Sequence, residues 1–226
     1  MKKIAALVAL AGLAAAANAG PGKIDLLVRN VTQGGAAGNS VNANVGDTVE
    51  VQAWYYWGDA GTTHAYGLAT VIHNITSADF DASNSISISD NRVGRFNFGA
   101  QTQAAFRTGN TLRIADAANG GDLAAGGISV KQASPSASGA NFDANNPALG
   151  YAFTFVVGAG QTYNINFDAP LNRINSYRVY TNATNTTATP KDITFDATDG
   201  ATVVVPAPAS LALLGLGGLV AGRRRR

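Results

Sequence analysis

The sequence predicts an all-β fold: an antiparallel β-sandwich, jelly-roll or immunoglobulin-like, flanked by an N-terminal signal helix and a short C-terminal hydrophobic helix. Three observations predict it. The apolar residues of the interior alternate with period two, the spacing of a strand with one buried face. Between Gly20 and Val205 there are one glutamate, Glu50, and three lysines, so the residues that normally furnish surface helices are nearly absent. Asparagine occurs nineteen times in the same stretch, among dense Gly, Ser and Thr, which is the composition of turns and strands.

The chain of 226 residues opens with a charged Met1-Lys2-Lys3 head and an apolar run from Ile4 to Ala17. Ala17-Asn18-Ala19 then forms a small-x-small cleavage site before Gly20. Residues 1–19 are expected to be a secretory signal peptide handled by Sec-type export machinery. Residues 20–205 are expected to form one exported domain, a length at which a hydrophobic core suffices without cross-links. Cysteine is absent, which excludes disulfides, thiolate metal sites, a cysteine nucleophile and a lipidated N-terminal cysteine. The formal charge of +2 comes from the ends. Two lysines lie in the leader and four arginines in the tail, leaving ten basic and fourteen acidic residues in the interior, a net −4. Nucleic acid is therefore not an expected partner.

Along the interior, "TVEVQAWYYW" places Val49, Val51, Ala53, Tyr55 and Trp57 on one face. Tyr151, Phe153, Phe155 and Val157 do the same in "YAFTFVV", and Tyr163, Ile165 and Phe167 in "TYNINFD". Shorter alternations occur in "SISIS", "TLRIA", "YRVY" and "DITFD", and at least nine short strands are expected in the interior as a whole. "TQAAFRTG" is the nearest approach to a helix. Residues 117–148 are poor in large apolar side chains and are expected to form long loops broken by a strand at "GISVK". The phrase Gly-x-Thr-apolar-x-apolar occurs at Gly46, Gly109, Gly160 and Gly200. Its spacing is too uneven for a repeat architecture, so it marks four strand entries, each with a glycine free to take positive φ.

The C-terminal segment reads "VPAPASLALLGLGGLVAGRRRR". The uncharged stretch from Pro208 to Gly222 would make a helix about 22 Å long against roughly 30 Å of hydrocarbon. The four terminal arginines would stay on the cytoplasmic side. These features describe a weak stop-transfer tail over residues 206–226. Pro206-Ala207-Pro208, the short Leu/Gly/Ala-rich run and Arg223, Arg224, Arg225 and Arg226 together resemble the PEP-CTERM sorting signal of exported bacterial proteins. That resemblance covers about the last twenty residues and departs from the family pattern at Ala207, where the family has glutamate. It implies transient or permanent inner-membrane association, an exosortase-like membrane protease as partner, and a bacterium that makes exopolysaccharide. "VNANVGDTVEVQAWYY" also resembles, generically, strand entries of bacterial cohesin and immunoglobulin-like surface modules.

Trp54 and Tyr56 fall on the face opposite Val49, Val51 and Tyr55, beside Glu50 and Gln52. They are the candidate ligand-binding residues, able to stack on sugar rings if exposed and otherwise to pack beneath a second layer. His64 and His73 would point to opposite faces of one continuous strand, an unsuitable zinc pair. Asp79, Asp81 and Ser83 carry oxygens at alternate positions, as in the first half of a calcium loop, but lack its glycine and distant glutamate. Residues 143–146 and 196–200 are weaker versions. Asp and Asn also build turns without an ion. No nucleophile elbow, zinc-protease helix or phosphate loop is present, and no cofactor is expected. The lone Glu50 excludes a glutamate pair for glycoside hydrolysis, though an aspartate pair stays open. Four Asn-x-Thr triplets, at Asn30, Asn74, Asn182 and Asn185, read as composition in a bacterial chain. The expectation is a non-enzymatic structural or adhesive protein of the cell surface or extracellular matrix, linked to exopolysaccharide or biofilm. The alternatives are a carbohydrate-binding module using Trp54 and Tyr56, and a secreted polysaccharide-active enzyme.

Overall fold

The computed structural model describes residues 22–60, 63–81, 83–87, 92–96, 103–117, 127–135, 143–158, 162–168, 177–182, 190–194 and 199–206. The leader with Ala17, Ala19 and Gly20 lies outside them. So does the tail from Ala207 onward, with Pro208 and Arg223–Arg226, and with these segments the two expected flanking helices. Pro206 is exposed at the end of the last described stretch.

The described residues form two sheets. The smaller is antiparallel throughout, in the order β1 (Lys23–Asn30), β3 (Thr48–Tyr56), β9 (Ala148–Val156) and β5 (Ile86–Ser87). The larger has nine strands. Its path runs β12 (Lys191–Asp192), β11 (Tyr177–Tyr180), β4 (Gly67–Ser77), β10 (Tyr163–Asp168), β13 (Ala201–Val204) and β2 (Ser40–Asn42). β7 (Thr111–Asp116) and β8 (Ile128–Lys131) also pair with β4, and β6 (Gln103–Thr108) pairs with β7.

Period-two patterning explains why the sheets stack. Ile24, Leu26 and Val28 of β1, Val49, Val51, Ala53 and Tyr55 of β3, and Tyr151, Phe153 and Phe155 of β9 are all buried. They meet Leu68, Val71 and Ile75 of β4, Tyr163 and Ile165 of β10, and Tyr177 and Val179 of β11 in one core. Phe80, Phe155 and Tyr163 interlock there with ring centroids 4.7–5.2 Å apart, mostly edge to face. Each such side chain removed from water contributes about 2 kcal/mol.

β4 is the long central strand of the larger sheet. Val71 pairs with Tyr177 of β11 and Val130 of β8, one on each edge, and Ile75 likewise with Phe167 of β10 and Ile114 of β7. The pairing register shifts between Thr70 and Leu68, a bulge that lets Leu68 and Val71 both enter the core although they stand three positions apart, a step that would put them on opposite faces of a regular strand.

The open edge of β1 is covered. Leu26 N–H donates to Asp199 C=O at 3.0 Å, and Val28 and Gly38 exchange both backbone bonds. These bonds join the sheets at one side and remove an edge that would otherwise template association.

One expectation is corrected. The sandwich is not purely antiparallel, because β13 runs parallel to β2 with Val203 opposite Val41. These strands lie more than 150 residues apart, so no hairpin forces them antiparallel. Gln103–Thr108, within the stretch nearest to a helical pattern, is strand β6. A turn at Gly109, with φ of 60°, folds it back along β7 from Thr108↔Thr111 to Gln103↔Asp116. The four Gly-x-Thr phrases do open strands: β3, β7, β10 and β13. Positive φ is found at Gly46 and Gly109. Gly200 serves a close approach instead, since a Cβ there would sit 2.7 Å from the Ile165 carbonyl oxygen. Gly160 lies outside the described residues.

Candidate functional site

The outward face of the four-stranded sheet carries the candidate site. Because β3 buries Val49, Val51, Ala53 and Tyr55, its other residues, Glu50, Gln52, Trp54 and Tyr56, point away from the core. Trp54 and Tyr56 are half-buried there, not packed into the core. Their cross-strand partners on β1 are Asp25 and Lys23.

A string of side-chain bonds runs along this face. The Trp54 indole Nε1–H donates to Gln52 Oε1 at 3.0 Å, Gln52 Nε2 donates to Glu50 Oε1, and Arg29 Nη2 donates to Glu50 Oε2 at 2.8 Å. Trp54 is thus fixed at one ring edge, and the charge of the interior's one glutamate is met by a guanidinium. Beside Glu50 lies a shallow open groove of about 390 Å³, within the size range of small-ligand sites. Ser87, Arg92, Val93, Ala152, Phe153 and Thr154 complete its lining. The register explains this placement, because Glu50 is opposite Thr154 and Thr154 is opposite Ser87.

At the other end of the same face Lys23 Nζ bridges Asp25 at 2.8 Å and Asp199 at 3.1 Å, and lies 5.8 Å from the Tyr56 ring centre. The hydrogen bond with Asp25 raises the Lys23 pKa. Burial, then the Asp25 charge, raises that of Tyr56. Both groups keep their protonated forms well above neutral pH.

The other candidates are dispersed. His73 is fully buried in β4, its Nε2 2.6 Å from the Tyr55 hydroxyl, and burial lowers its pKa to about 3. His64 precedes β4 in an exposed loop and bridges Asp59 at 3.0 Å, so the two histidines do not share a strand. The Asn84 amide donates to the Asp81 C=O at 3.2 Å, as in a turn. Asp81 Oδ1 accepts from the Ser83 amide at 2.7 Å and from its hydroxyl, which lowers the Asp81 pKa, while Asp79 Oδ2 turns away to the Asn164 amide at 2.8 Å. Among the described residues no group of three or more acidic or histidine side chains is gathered as a metal would need. In the 143–146 stretch, Asp143 Oδ1 accepts from the Asn145 amide at 2.8 Å. Of the Asn-x-Thr triplets, Asn30 and Asn74 are buried in strands and inaccessible to modification. Asn30 Nδ2 donates to Asp47 at 2.7 Å.

No family model matches the chain, and no curated protein matches it. Among solved structures, one similar chain belongs to a type I cohesin–dockerin complex from Clostridium thermocellum. It has 10% identity and a TM-score of 0.40, and the match covers 81% of this chain and 99% of that one. Another is the second type II cohesin module of the adaptor scaffoldin ScaA from Acetivibrio cellulolyticus, at 11% identity and a TM-score of 0.40, covering 80% and 96%. A third is the C-terminal domain of the Streptococcus pyogenes antigen I/II-family protein AspA, at 10% identity and a TM-score of 0.30, covering 80% of this chain and 46% of that one.

The alternation within β3 already separates Trp54 and Tyr56 from the core. Arg29, Ser87, Arg92 and Thr154 escape sequence reasoning, because they reach the site only through the register of β1, β5 and β9 and through the bridge from Arg92 to Tyr151. The one available signal is the alternation of Ile24, Leu26 and Val28, which sends Arg29 to the same outward face.

Proposed function

We propose that this chain is an exported bacterial envelope protein with a structural or adhesive role at the cell surface or in the extracellular matrix. Its leader directs it through Sec-type export, and its tail is a PEP-CTERM-like sorting segment presented to an exosortase-like protease. The observation that carries the binding part of this reading is the Arg29–Glu50–Gln52–Trp54 string beside the groove: a pre-set polar and aromatic surface on which Glu50 is already paired. That pairing argues against hydrolysis at this place. A glycosidase needs two carboxyl groups flanking the bond to be cut, and among the described residues the groove lining supplies Glu50 alone. Among the described residues no helix is long and apolar enough to cross a membrane, so anchoring rests on the tail sequence.

Fractionation of producing cells with intact-mass measurement tests this reading. The expected product lacks residues 1–19 and is found in the envelope, matrix or medium, with or without the tail. A full-length product confined to the cytoplasm would overturn it.

A further inference from the structure

We propose that the outward face of the four-stranded sheet binds a neutral polysaccharide, one pyranose ring seated in the groove beside Glu50 and a neighbouring ring stacked on Trp54. This rests on the adhesive reading and deepens it by naming the ligand class.

The chemistry follows from the residues. Successive outward residues of β3 are roughly 6.6 Å apart, so Glu50, Gln52 and Trp54 span about 13 Å along the strand. That is enough for two or three linked sugar rings. A pyranose offers an apolar C–H face and a rim of hydroxyls that both donate and accept. Trp54 supplies a flat apolar partner for the first. The rim needs acceptors and donors side by side. Glu50 accepts, Arg29 donates, and the Ser87 and Thr154 hydroxyls do either, while the buried Gln52 amide holds Glu50 and Trp54 in place. Trp54 loses little freedom on binding, because Gln52 already holds its indole N–H. The Glu50 carboxylate is already paired with Arg29, so the described lining carries no uncompensated acid, and recognition falls to hydroxyl and C–H contacts, which suits a neutral glycan.

Affinity electrophoresis of the full chain, in gels containing a neutral glucan, galactomannan or xylan and with a polyuronate gel as control, tests the proposal. The expected result is retardation by at least one neutral polymer and none by the polyuronate. Trp54→Ala and Glu50→Gln should each raise the apparent dissociation constant about tenfold or more, the loss expected for one aromatic or charge-assisted contact. The Glu50 side chain is partly open to solvent and Trp57 persists as a fluorescent probe of folding, so Glu50→Gln remains decisive even if Trp54→Ala fails to fold. No retardation by any neutral polymer, equal retardation of wild type and Glu50→Gln, or retardation by the polyuronate alone would overturn it. So would a surface protein whose binding needs Glu50 in the absence of any glycan binding. Cell fractionation is independent of these outcomes: a purified chain that ignores glycans can still be a matrix protein, and one that binds them can still prove cytoplasmic.

Discussion

Acid should unfold this protein through His73. The ring is fully buried between the sheets, 5.6 Å from the Tyr55 ring centre and 6.5 Å from that of Tyr151. Burial dominates its titration and lowers the folded pKa to about 3, against 6.5 for an ordinary histidine. Below pH 6.5 the unfolded chain takes up a proton that the folded chain refuses until about pH 3. Stability from this group is therefore intact above pH 6.5 and is lost progressively as the pH falls through that window. The 3.5-unit gap corresponds to about 5 kcal/mol in total, of which about 2 kcal/mol is lost between pH 7 and pH 5. That second figure is a large fraction of a typical domain stability. The assay is urea unfolding followed by tryptophan fluorescence at pH 7, 6 and 5, in a His64→Asn background so that one histidine remains. His73→Gln, which keeps a hydrogen-bonding group for Tyr55 but cannot titrate, is the comparison. The parent should lose about 2 kcal/mol more than His73→Gln over that range. Parallel pH profiles for the two would refute the reasoning.

Three further outcomes are expected. Asp47 Oδ2 accepts from Asn30, Gln33 and the Asn44 amide at 2.6–2.9 Å, bonds that lower its pKa, the Asn30 bond most. Asp47→Ala should cost about 2 kcal/mol at pH 7 in urea unfolding, and the difference from wild type should shrink as the pH drops through the folded Asp47 pKa, below 3.8. Gly150→Ala would place a Cβ 2.5 Å from Tyr55 Cε2 and 3.0 Å from Val130 Cγ1, so it should destabilise by about 1–3 kcal/mol and lower the thermal midpoint. Glu50→Gln breaks an ion pair whose arginine side chain is 43% exposed, so it should change unfolding free energy by less than about 1 kcal/mol while changing ligand affinity.

What the sequence made legible follows from geometry. β3, β9 and β10 bury one face, and their residues announce it by strict alternation. β4 does not, because its bulge and its two-sided burial break the period: Leu68, Ala69, Val71, His73, Asn74 and Ile75 are all buried. β2 is three residues long, too short to carry a pattern, whereas β5 falls within the alternating "SISIS" and β12 runs into "DITFD". Sheet order and the parallel β2–β13 pair are long-range facts with no local trace. The site divides in the same way. Trp54, Tyr56, Glu50 and Gln52 sit on one strand and are placed together by period alone, whereas the groove depends on three partners that only the register brings alongside. The acidic Asp79–Ser83 stretch looks like half an ion loop because aspartate serves turns and cations equally well. Its oxygens point to separate partners, Asp79 to Asn164 and Asp81 to Ser83.

Retention in the extracellular matrix tests the adhesive role most directly. Cells producing wild type, or the Trp54→Ala/Glu50→Gln double variant, would be washed and the protein quantified in matrix and wash. Wild type should be held in the matrix and the folded double variant released into the wash. Equal retention of the two would contradict a glycan-binding role for this face.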